Sequence, residues 1–391
     1  METNRVKILV VDDEVDLEPM MRQNFRRQVR NGDYEFEFAH NGLEALSKLI
    51  EHPEIGIILS DINMPEMDGL TLLLKLKELQ NPSLRTVMVS AYGDMDNLRT
   101  AMNRGAFDFV TKPINFEDLE ITINKTMGEI LNLRKSEKEH LQLVNIQSDL
   151  KIANEIQQSI LPKIFPPFPD RKEFDVYASM IAAQEVGGDF YDHFLIDDDH
   201  LGFVIGDVSG KGISAAIFMA VSRTFIRVTG QRGLSSVDTM NYVNNLLCND
   251  NGSCMFVTVF YGVLNVRTGE LEYVNAGHNA PYFLRSNGGL DKLPMTGDRI
   301  VGCFDNYQFR SNTINMLPSD ILFMFTDGVT EAFNKAGEEY GTPQVEADLA
   351  SIDRSSLSGI VKTMIDNVNQ FSTGVKQSDD ITVQVIQYYG H

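Results

Sequence analysis

GDVSGKGISAA (residues 206–216) sets an aspartate after a glycine, a lysine between two glycines, and then a run that opens a helix. A loop that cradles a nucleotide phosphate, a metal-binding turn and a bare tight turn can all begin this way. The fold expected of the C-terminal half depends on which it is. Spacing argues against the first. A phosphate loop needs four residues between its first glycine and Gly-Lys, then a serine or threonine for magnesium. Only Asp207, Val208 and Ser209 separate Gly206 from Gly210-Lys211, and Gly212 stands where the hydroxyl belongs. The question becomes what Asp207 is for.

Working outward, other acids share its setting. Asp189 lies in VGGDFYD, Asp327 in FMFTDGVTE and Asp379-Asp380 in KQSDDITV, each beside a strand-like run and most beside glycine. One Asp-Gly alone is only a turn signal. VGGDF also invites comparison with the cyclase motif that begins Gly-Gly-Asp, but Phe190 stands where that motif needs its next acid. Strand-like runs dominate residues 172–391, with helical stretches near 212–229 and 355–371, a pattern expected of an α+β layered domain on antiparallel sheets.

Upstream, LPKIFPPFPD packs four prolines into eight residues and ends a long helical pattern that begins near Phe116. Within that pattern Ile123, Met127, Ile130, Leu141 and Val144 form one apolar seam. Leu143, Ile146, Leu150, Ala153 and Ile160 form a second, offset from the first. Spacings of three and four predict a coiled coil with a register shift, or else a single amphipathic helix packed on its own domain.

Residues 6–125 read differently again. VKILVVDD, EIGIILSD, RTVMVSAY and FDFVTKP are near-continuous apolar runs alternating with helical segments such as NGLEALSKLIE, which predicts a doubly wound parallel sheet buried on both faces. Function in such sheets collects at the carboxyl ends of the strands. Those ends bring Asp12, Asp13 and Asp61 to one rim, with Ser90 and Lys112. Three clustered carboxylates repel one another unless a divalent cation binds them, and oxygen ligands suit magnesium. One carboxylate is then left as a nucleophile toward a phosphoryl group.

This set, with DINMPEMDG and GAFDFVTKPI, resembles the receiver domain of two-component response regulators over residues 5–125. The resemblance implies that Asp61 is the phosphoacceptor and that Asp12, Asp13, Asp61 and the Asn63 carbonyl hold Mg2+. It makes Ser90, Phe109 and Lys112 the switch residues and a cognate histidine kinase the upstream partner.

From about residue 148 onward, VGGDFYD, GDVSGKG, AGHNAPYFL, TDGVTEA and SDDIT resemble the metal-dependent (PPM-type) serine/threonine protein phosphatases of the sporulation stage II protein E and stress-response branch. The likeness implies two Mn2+ or Mg2+ ions held by Asp189, Asp207, the Val208 carbonyl, Asp327 and Asp379, with Asp207 bridging. Asp379 aligns with the family's last metal aspartate and Asp380 with the residue beside it. Two such ions lower the pKa of a bridging water, so hydroxide can attack phosphoserine with no covalent enzyme intermediate. His278 could be a general acid, although shaping the AGHNAP turn is the favoured role. Lys211 either attracts phosphate or sits in solvent.

The expected organisation is a receiver domain (1–125), a helical linker and coiled coil (126–165) that supports a homodimer, and a phosphatase domain (166–391). The expected substrate is a phosphoserine protein, a small anti-sigma-factor antagonist by family analogy. The rival reading is a pseudophosphatase that sequesters a partner, kept open by IVGCFDNYQF (300–309), where the branch has a more regular Pro-Leu-Gly turn. Retention of all four metal-site aspartates counts against it. A net charge of −21 gives no basic stripe for nucleic acid. Cys248, Cys254 and Cys303 match no zinc motif or disulfide framework. The N-terminus enters a strand pattern without a signal peptide, and no apolar run of membrane-spanning length stands out, so a cytoplasmic protein with no membrane partner is expected.

Overall fold

The chain divides into two compact units, Met1–Ile146 and Gln147–His391. The computed structural model describes residues 6–390 apart from Tyr92 and Asp250. Residues 1–5 and 391, at the ends of the two expected domains, and Tyr92, the last residue of RTVMVSAY, lie outside the described residues.

The first unit runs β1 (Val6–Val11), α1 (Leu17–Asn24), α2 (Arg26–Asn31), β2 (Tyr34–Ala39), α3 (Gly42–Glu51), β3 (Ile55–Asp61), α4 (Gly69–Glu78), β4 (Arg85–Ala91), α5 (Met95–Arg104), β5 (Asp108–Lys112) and the start of α6 (Phe116–Ile160). Its five strands are all parallel, in the order β2-β1-β3-β4-β5. Every residue of β1 and β3 is buried, as the unbroken apolar runs require of a sheet covered on both faces. Leu17, Met21 and Phe25 pack on one face with Leu119, Ile123 and Ile130 of α6; Ala45, Leu72 and Leu76 of α3 and α4 cover the other. The order reverses beside β1, so the ends of β1 and β3 open onto the crevice where α/β folds bind ligands.

Helix α6 divides its apolar pattern between two settings. Ile123, Met127 and Ile130 belong to the core of the first unit, so here the helix packs on its own domain. Farther on, Leu141, Leu143, Val144 and Ile146 are exposed, as are Ile152 and Ile156.

The second unit contains β6 (Phe174–Ile181), β7 (Phe190–Leu195), β8 (His200–Val208), α7 (Ile213–Gly230), α8 (Ser236–Asn249), β9 (Val257–Asn265), β10 (Glu270–Ala276), β11 (Tyr282–Leu284), β12 (Leu290–Lys292), β13 (Asn312–Asn315), β14 (Ile321–Phe325), α9 (Asp327–Thr330), α10 (Gly341–Ser351), α11 (Leu357–Phe371) and β15 (Ile381–Tyr388). Two antiparallel sheets, β13-β10-β9-β8-β7 and β12-β11-β14-β15-β6, stack face to face. The alternation in β9 shows why: Phe260 and Leu264 point into the layer between sheets, while Val257, Val259 and Tyr261 point to α7 and α8. On the far side α10 and α11 cover β14 and β15.

Helix α7, at 18 residues, is long and apolar enough to cross a membrane by length and composition. Ala215, Met219 and Ile226 are instead buried in the domain core. Arg223 and Arg227 on the same helix hold the fully buried Asp192 of β7, at 2.8 and 2.7 Å. Its apolar character serves the sheet beneath it.

Candidate phosphoacceptor site and candidate metal centre

In the first unit, Asp12, Asp13 and Asp61 place carboxylate oxygens all within 4.8 Å of one another. Lys112 Nζ reaches Asp61 Oδ2 at 2.7 Å, Asp12 Oδ2 at 2.9 Å and Glu14 Oε1 at 2.8 Å. Burial works against the charge on Lys112, but these three acids outweigh it and hold its pKa above the ordinary value. Burial likewise raises Asp12, partly countered by the Glu14 N–H and by Lys112. The Asn63 N–H donates to Asp61 Oδ1 at 3.3 Å. Ser90 is fully buried at the end of β4, and its Oγ has no partner among the described residues. Phe109 stands 42 % exposed on β5. All the residues expected at this rim are there. Glu14 was not among them, although it directly follows the acid pair.

The second unit gathers its acids where strands of the two sheets end together. Asp207 sits at the end of β8, and the turn beyond it needs positive φ at Gly210 (84°) and Gly212 (78°), the latter capping α7. Asp327 opens α9 with one residue between it and β14, Asp189 directly precedes β7, and Asp379-Asp380 directly precede β15.

Asp189 is buried and accepts hydrogen bonds on Oδ2 from Thr326 Oγ1 (2.7 Å) and Thr382 Oγ1 (2.6 Å). Burial first, then the charges of Asp207 and Asp380, raise its pKa well above the carboxylate range; the two threonines act the other way. Asp207 is pushed up to about 7 by burial and by Asp327, Asp379 and Asp380, against a hydrogen bond with Asp189. Asp327 is pushed up to about 6 by burial, Glu331 and Asp379. These acids are more widely spread than the receiver trio, which is the one group of three or more so tightly clustered among the described residues. Each is within electrostatic reach of Asp207. Buried carboxylates that raise one another's pKa are a site short of positive charge, and oxygen-only donors suit Mg2+ or Mn2+. The residues present therefore fit divalent metal.

The adjacent pair Asp379-Asp380 divides its work. Asp380 accepts from the backbone N–H groups of Ala183 (2.8 Å), Gly188 (2.6 Å) and Asp189 (3.4 Å). Its carboxylate lies so close to Gly187 that a Cβ there would sit 2.4 Å from Oδ2, and a Cβ on Gly188 would sit 2.9 Å from the Val208 carbonyl oxygen, which together explain the double glycine of VGGDF. Asp379 faces Lys211, whose Nζ lies 2.9 Å from Oδ2 and also donates to the Ser378 carbonyl. Lys211 is thus paired, with its side chain still 41 % exposed.

His278 is buried, its Nδ1 2.9 Å from Thr258 Oγ1, and its backbone N–H donates to Asn275. Burial depresses its pKa to about 4. A hydrogen bond with the Phe325 backbone acts the other way. The segment 300–309 is tied into the same domain: Val301 exchanges hydrogen bonds with Val257, and Gly302 N–H donates to Asn244.

Helix α6 also reaches this centre. Gln157 Nε2 donates to the Gly187 carbonyl, Gly187 N–H returns to Gln157 Oε1 (3.0 Å), and Asn154 donates to the Glu185 carbonyl. The end of the helix thus grips the loop that carries Asp189.

Residues 8–124 match the family described as response regulator receiver domain, and residues 197–389 match stage II sporulation protein E (SpoIIE). The chain is 32 % identical over 265 residues to the protein IcfG of Synechocystis, covering 60 % of this chain and 40 % of that one. Its identity to the phosphoserine phosphatase RsbU of Bacillus subtilis is 25 % over 276 residues, covering 69 % and 80 %. It is 36 % identical over 122 residues to the chemotaxis protein CheY of the same organism, covering 31 % of this chain and 98 % of CheY. The chain thus spans less than half of IcfG but nearly all of CheY. Among solved structures, the SiaA-PP2C domain of Pseudomonas aeruginosa shares the fold, with a TM-score of 0.56 at 18 % identity, over 63 % of this chain and 98 % of that one.

Proposed function

We infer, from the premise that this chain belongs to the response regulator family by its receiver domain and to the stage II sporulation protein E family by its C-terminal PPM-type domain, that it is a metal-dependent protein serine phosphatase controlled by phosphorylation of Asp61. One observation carries the reading: Asp189, Asp207, Asp327 and Asp379 converge at strand ends with Lys211 as their one close cation among the described residues, and burial and mutual repulsion raise the pKa of the first three. A pure binding module has no use for such a set, which counts against the sequestering alternative.

In this reading Asp189, Asp207, the Val208 carbonyl, Asp327 and Asp379 hold two divalent ions, Mn2+ or Mg2+. When bound, the ions supply an activated water and neutralise charge on the phosphoryl group. The chain's own residues do the rest. Thr326 and Thr382 fix the orientation of Asp189, and Asp380 fixes the loop on which Asp189 stands. Lys211, paired with Asp379, sits at the edge of the site as a cation that would attract a phosphoryl oxygen. The substrate is a phosphoserine protein, a small anti-sigma-factor antagonist by analogy with the RsbU-like relatives.

In the receiver, Asp12, Asp13, Asp61 and the Asn63 carbonyl hold Mg2+, and Asp61 accepts a phosphoryl group from a histidine kinase. The group adds about 1.5–2 negative charges, beside Lys112 and the unpartnered Ser90 hydroxyl. Phe109, exposed on β5, turns inward with them. The change travels along α6, whose exposed seam pairs with that of a second copy in a dimer, to the Gln157–Gly187 contact at the metal loop. The protein acts in the cytoplasm. Hydrolysis of p-nitrophenyl phosphate tests the enzymatic reading: turnover that requires Mn2+ or Mg2+, stops in chelator and is abolished by Asp207→Asn is expected. Metal-independent turnover, or full activity in that variant, would overturn it.

A further inference from the structure

Beside the metal centre, a cavity of about 190 Å3 opens between α9, the end of α11 and the loop that leads to Asp379. Its wall includes Gly328, which follows Asp327, and Ser378, which precedes Asp379. It therefore begins one residue from each of two proposed metal ligands. The floor is apolar, formed by Ala332, Phe333 and Ile381. The volume holds roughly six waters, or one side chain of glutamate size.

What distinguishes this cavity is the sign of its mouth. In a chain of net charge −21, three lysines meet on the loop 372–379. Lys376 lines the cavity. Lys335 lies across Gly374, its Nζ 2.8 Å from where a Cβ on that glycine would stand. Lys211 Nζ lies against Ser378 and Asp379 on the metal side. Lys335 and Lys376 are both exposed, and neither enters an ion pair or hydrogen bond among the described residues. The uncharged polar side chains of the wall are mostly committed: Ser372, Thr373 and Ser378 hydroxyls donate to backbone carbonyls, and the Gln377 amide to Ile181 and Asp379. The donors left over are the Asn369 amide and the ammonium groups of Lys335 and Lys376, and only the latter two carry charge.

We propose that this cavity is a specificity subsite that takes an acidic side chain close in sequence to the phosphoserine of the protein substrate. The proposal rests on the phosphatase reading and adds the substrate's local charge. A phosphoserine seated at the aspartates places its neighbours about 3.3–3.6 Å further along per residue in extended chain. Side chains one to three positions away then reach the Lys335–Lys376 rim. These lysines are positioning groups for the substrate and touch no reacting atom. Because the rim is solvated, the preference it confers is modest and weakens with salt.

The test is a kcat/KM comparison on two phosphoserine peptides, one with glutamates and one with lysines within three residues of the phosphoserine. p-Nitrophenyl phosphate, which has no flanking residues, runs in parallel. The wild-type chain should favour the acidic peptide roughly tenfold at low salt, the scale of two or three partly screened ion pairs. Lys335→Glu/Lys376→Glu should abolish or invert that preference, and Lys335→Gln/Lys376→Gln should shrink it. Both variants should hydrolyse p-nitrophenyl phosphate at the wild-type rate. Equal kcat/KM on the two peptides, or a preference unchanged in both variants, would overturn the subsite while leaving the phosphatase reading intact. Absence of p-nitrophenyl phosphate hydrolysis in the wild type would overturn both.

Discussion

Replacing Asp380 should damage the scaffold, whereas replacing its neighbour Asp379 should damage the chemistry. Asp380 accepts two short backbone hydrogen bonds, from Ala183 at 2.8 Å and Gly188 at 2.6 Å, and a longer one from Asp189. Hydrogen bonds to a charged group contribute about 1.5–3 kcal/mol each. Asp380→Ala therefore costs roughly 3–6 kcal/mol, a large share of the 5–15 kcal/mol typical of a domain. For a unit of this size, about 2–4 °C per kcal/mol predicts a fall of roughly 6–24 °C in the Tm of its transition. Asp380→Asn keeps an acceptor for one N–H but turns an amide N–H2 toward another, so about half the loss is expected. Asp379 is partly exposed, and its main side-chain partner is Lys211. Its removal forfeits an ion pair worth about 1 kcal/mol at most and relieves repulsion with Asp207 and Asp327. Asp379→Asn should unfold near the wild-type temperature in chelator yet lose metal-dependent turnover. The assay is thermal unfolding of the full chain in EDTA, followed by p-nitrophenyl phosphate hydrolysis with Mn2+. If Asp380→Ala melts with the wild type, or Asp379→Asn keeps activity while Asp380→Asn loses it without destabilisation, the division of roles is wrong.

Three further outcomes follow from the same geometry. Without metal, Asp207 keeps its proton up to about pH 7 in the folded chain but only to about 3.8 when unfolded. The folded state then binds more protons between those values, so stability in EDTA should fall as pH rises from 4 to 7, by up to roughly 4 kcal/mol at about 1.4 kcal/mol per pH unit. Mn2+ should raise the Tm more at pH 8 than at pH 5; a flat profile in EDTA would refute the assignment. Acetyl phosphate with Mg2+ should add one phosphoryl group, found at Asp61 by mass spectrometry and absent from Asp61→Asn; the group on another residue would defeat the receiver assignment. Finally, Ile146→Glu/Leu150→Glu should uncouple turnover from the receiver while preserving basal hydrolysis. A chain that light scattering finds monomeric in both phosphorylation states, with regulation intact, would rule out the dimer route.

Much of this was legible because the chemistry sits at chain positions that announce themselves. Asp12 directly follows β1, and Asp61 and Lys112 end β3 and β5, strands made mainly of apolar and β-branched residues, so both the strands and their tips can be read from the same letters. Asp207 could be placed by the glycines that force its turn. What escaped was supplied by partners distant in sequence. Thr326 and Thr382 flank the aspartates in FMFTDG and DDITV, yet nothing local says that both hydroxyls converge on Asp189, nearly two hundred residues away from Thr382. Gln157 carries no local sign of its partner, and only the fold brings it to Gly187. The buried Asp192 with Arg223 and Arg227 is invisible for the same reason. Among the elements, α8 was missed because SVDTMNYVNNLLCN is rich in asparagine, a poor helix former, and its burial against α7 and β10 overrides propensity. Strands β12 and β13 escaped because both are short, polar edges of their sheets.

The central claim is that the receiver governs the phosphatase, and release of inorganic phosphate from a phosphoserine peptide by the full chain, with Mn2+ and with or without beryllofluoride, addresses it most directly. Beryllofluoride, a mimic of the phosphorylated aspartate, should change the rate for the wild type by about fivefold or more, the scale of a coupling of about 1–3 kcal/mol. It should leave the basal rate of Asp61→Asn unaltered. An identical rate with and without beryllofluoride in the wild type, or an equal response in Asp61→Asn, would contradict the account.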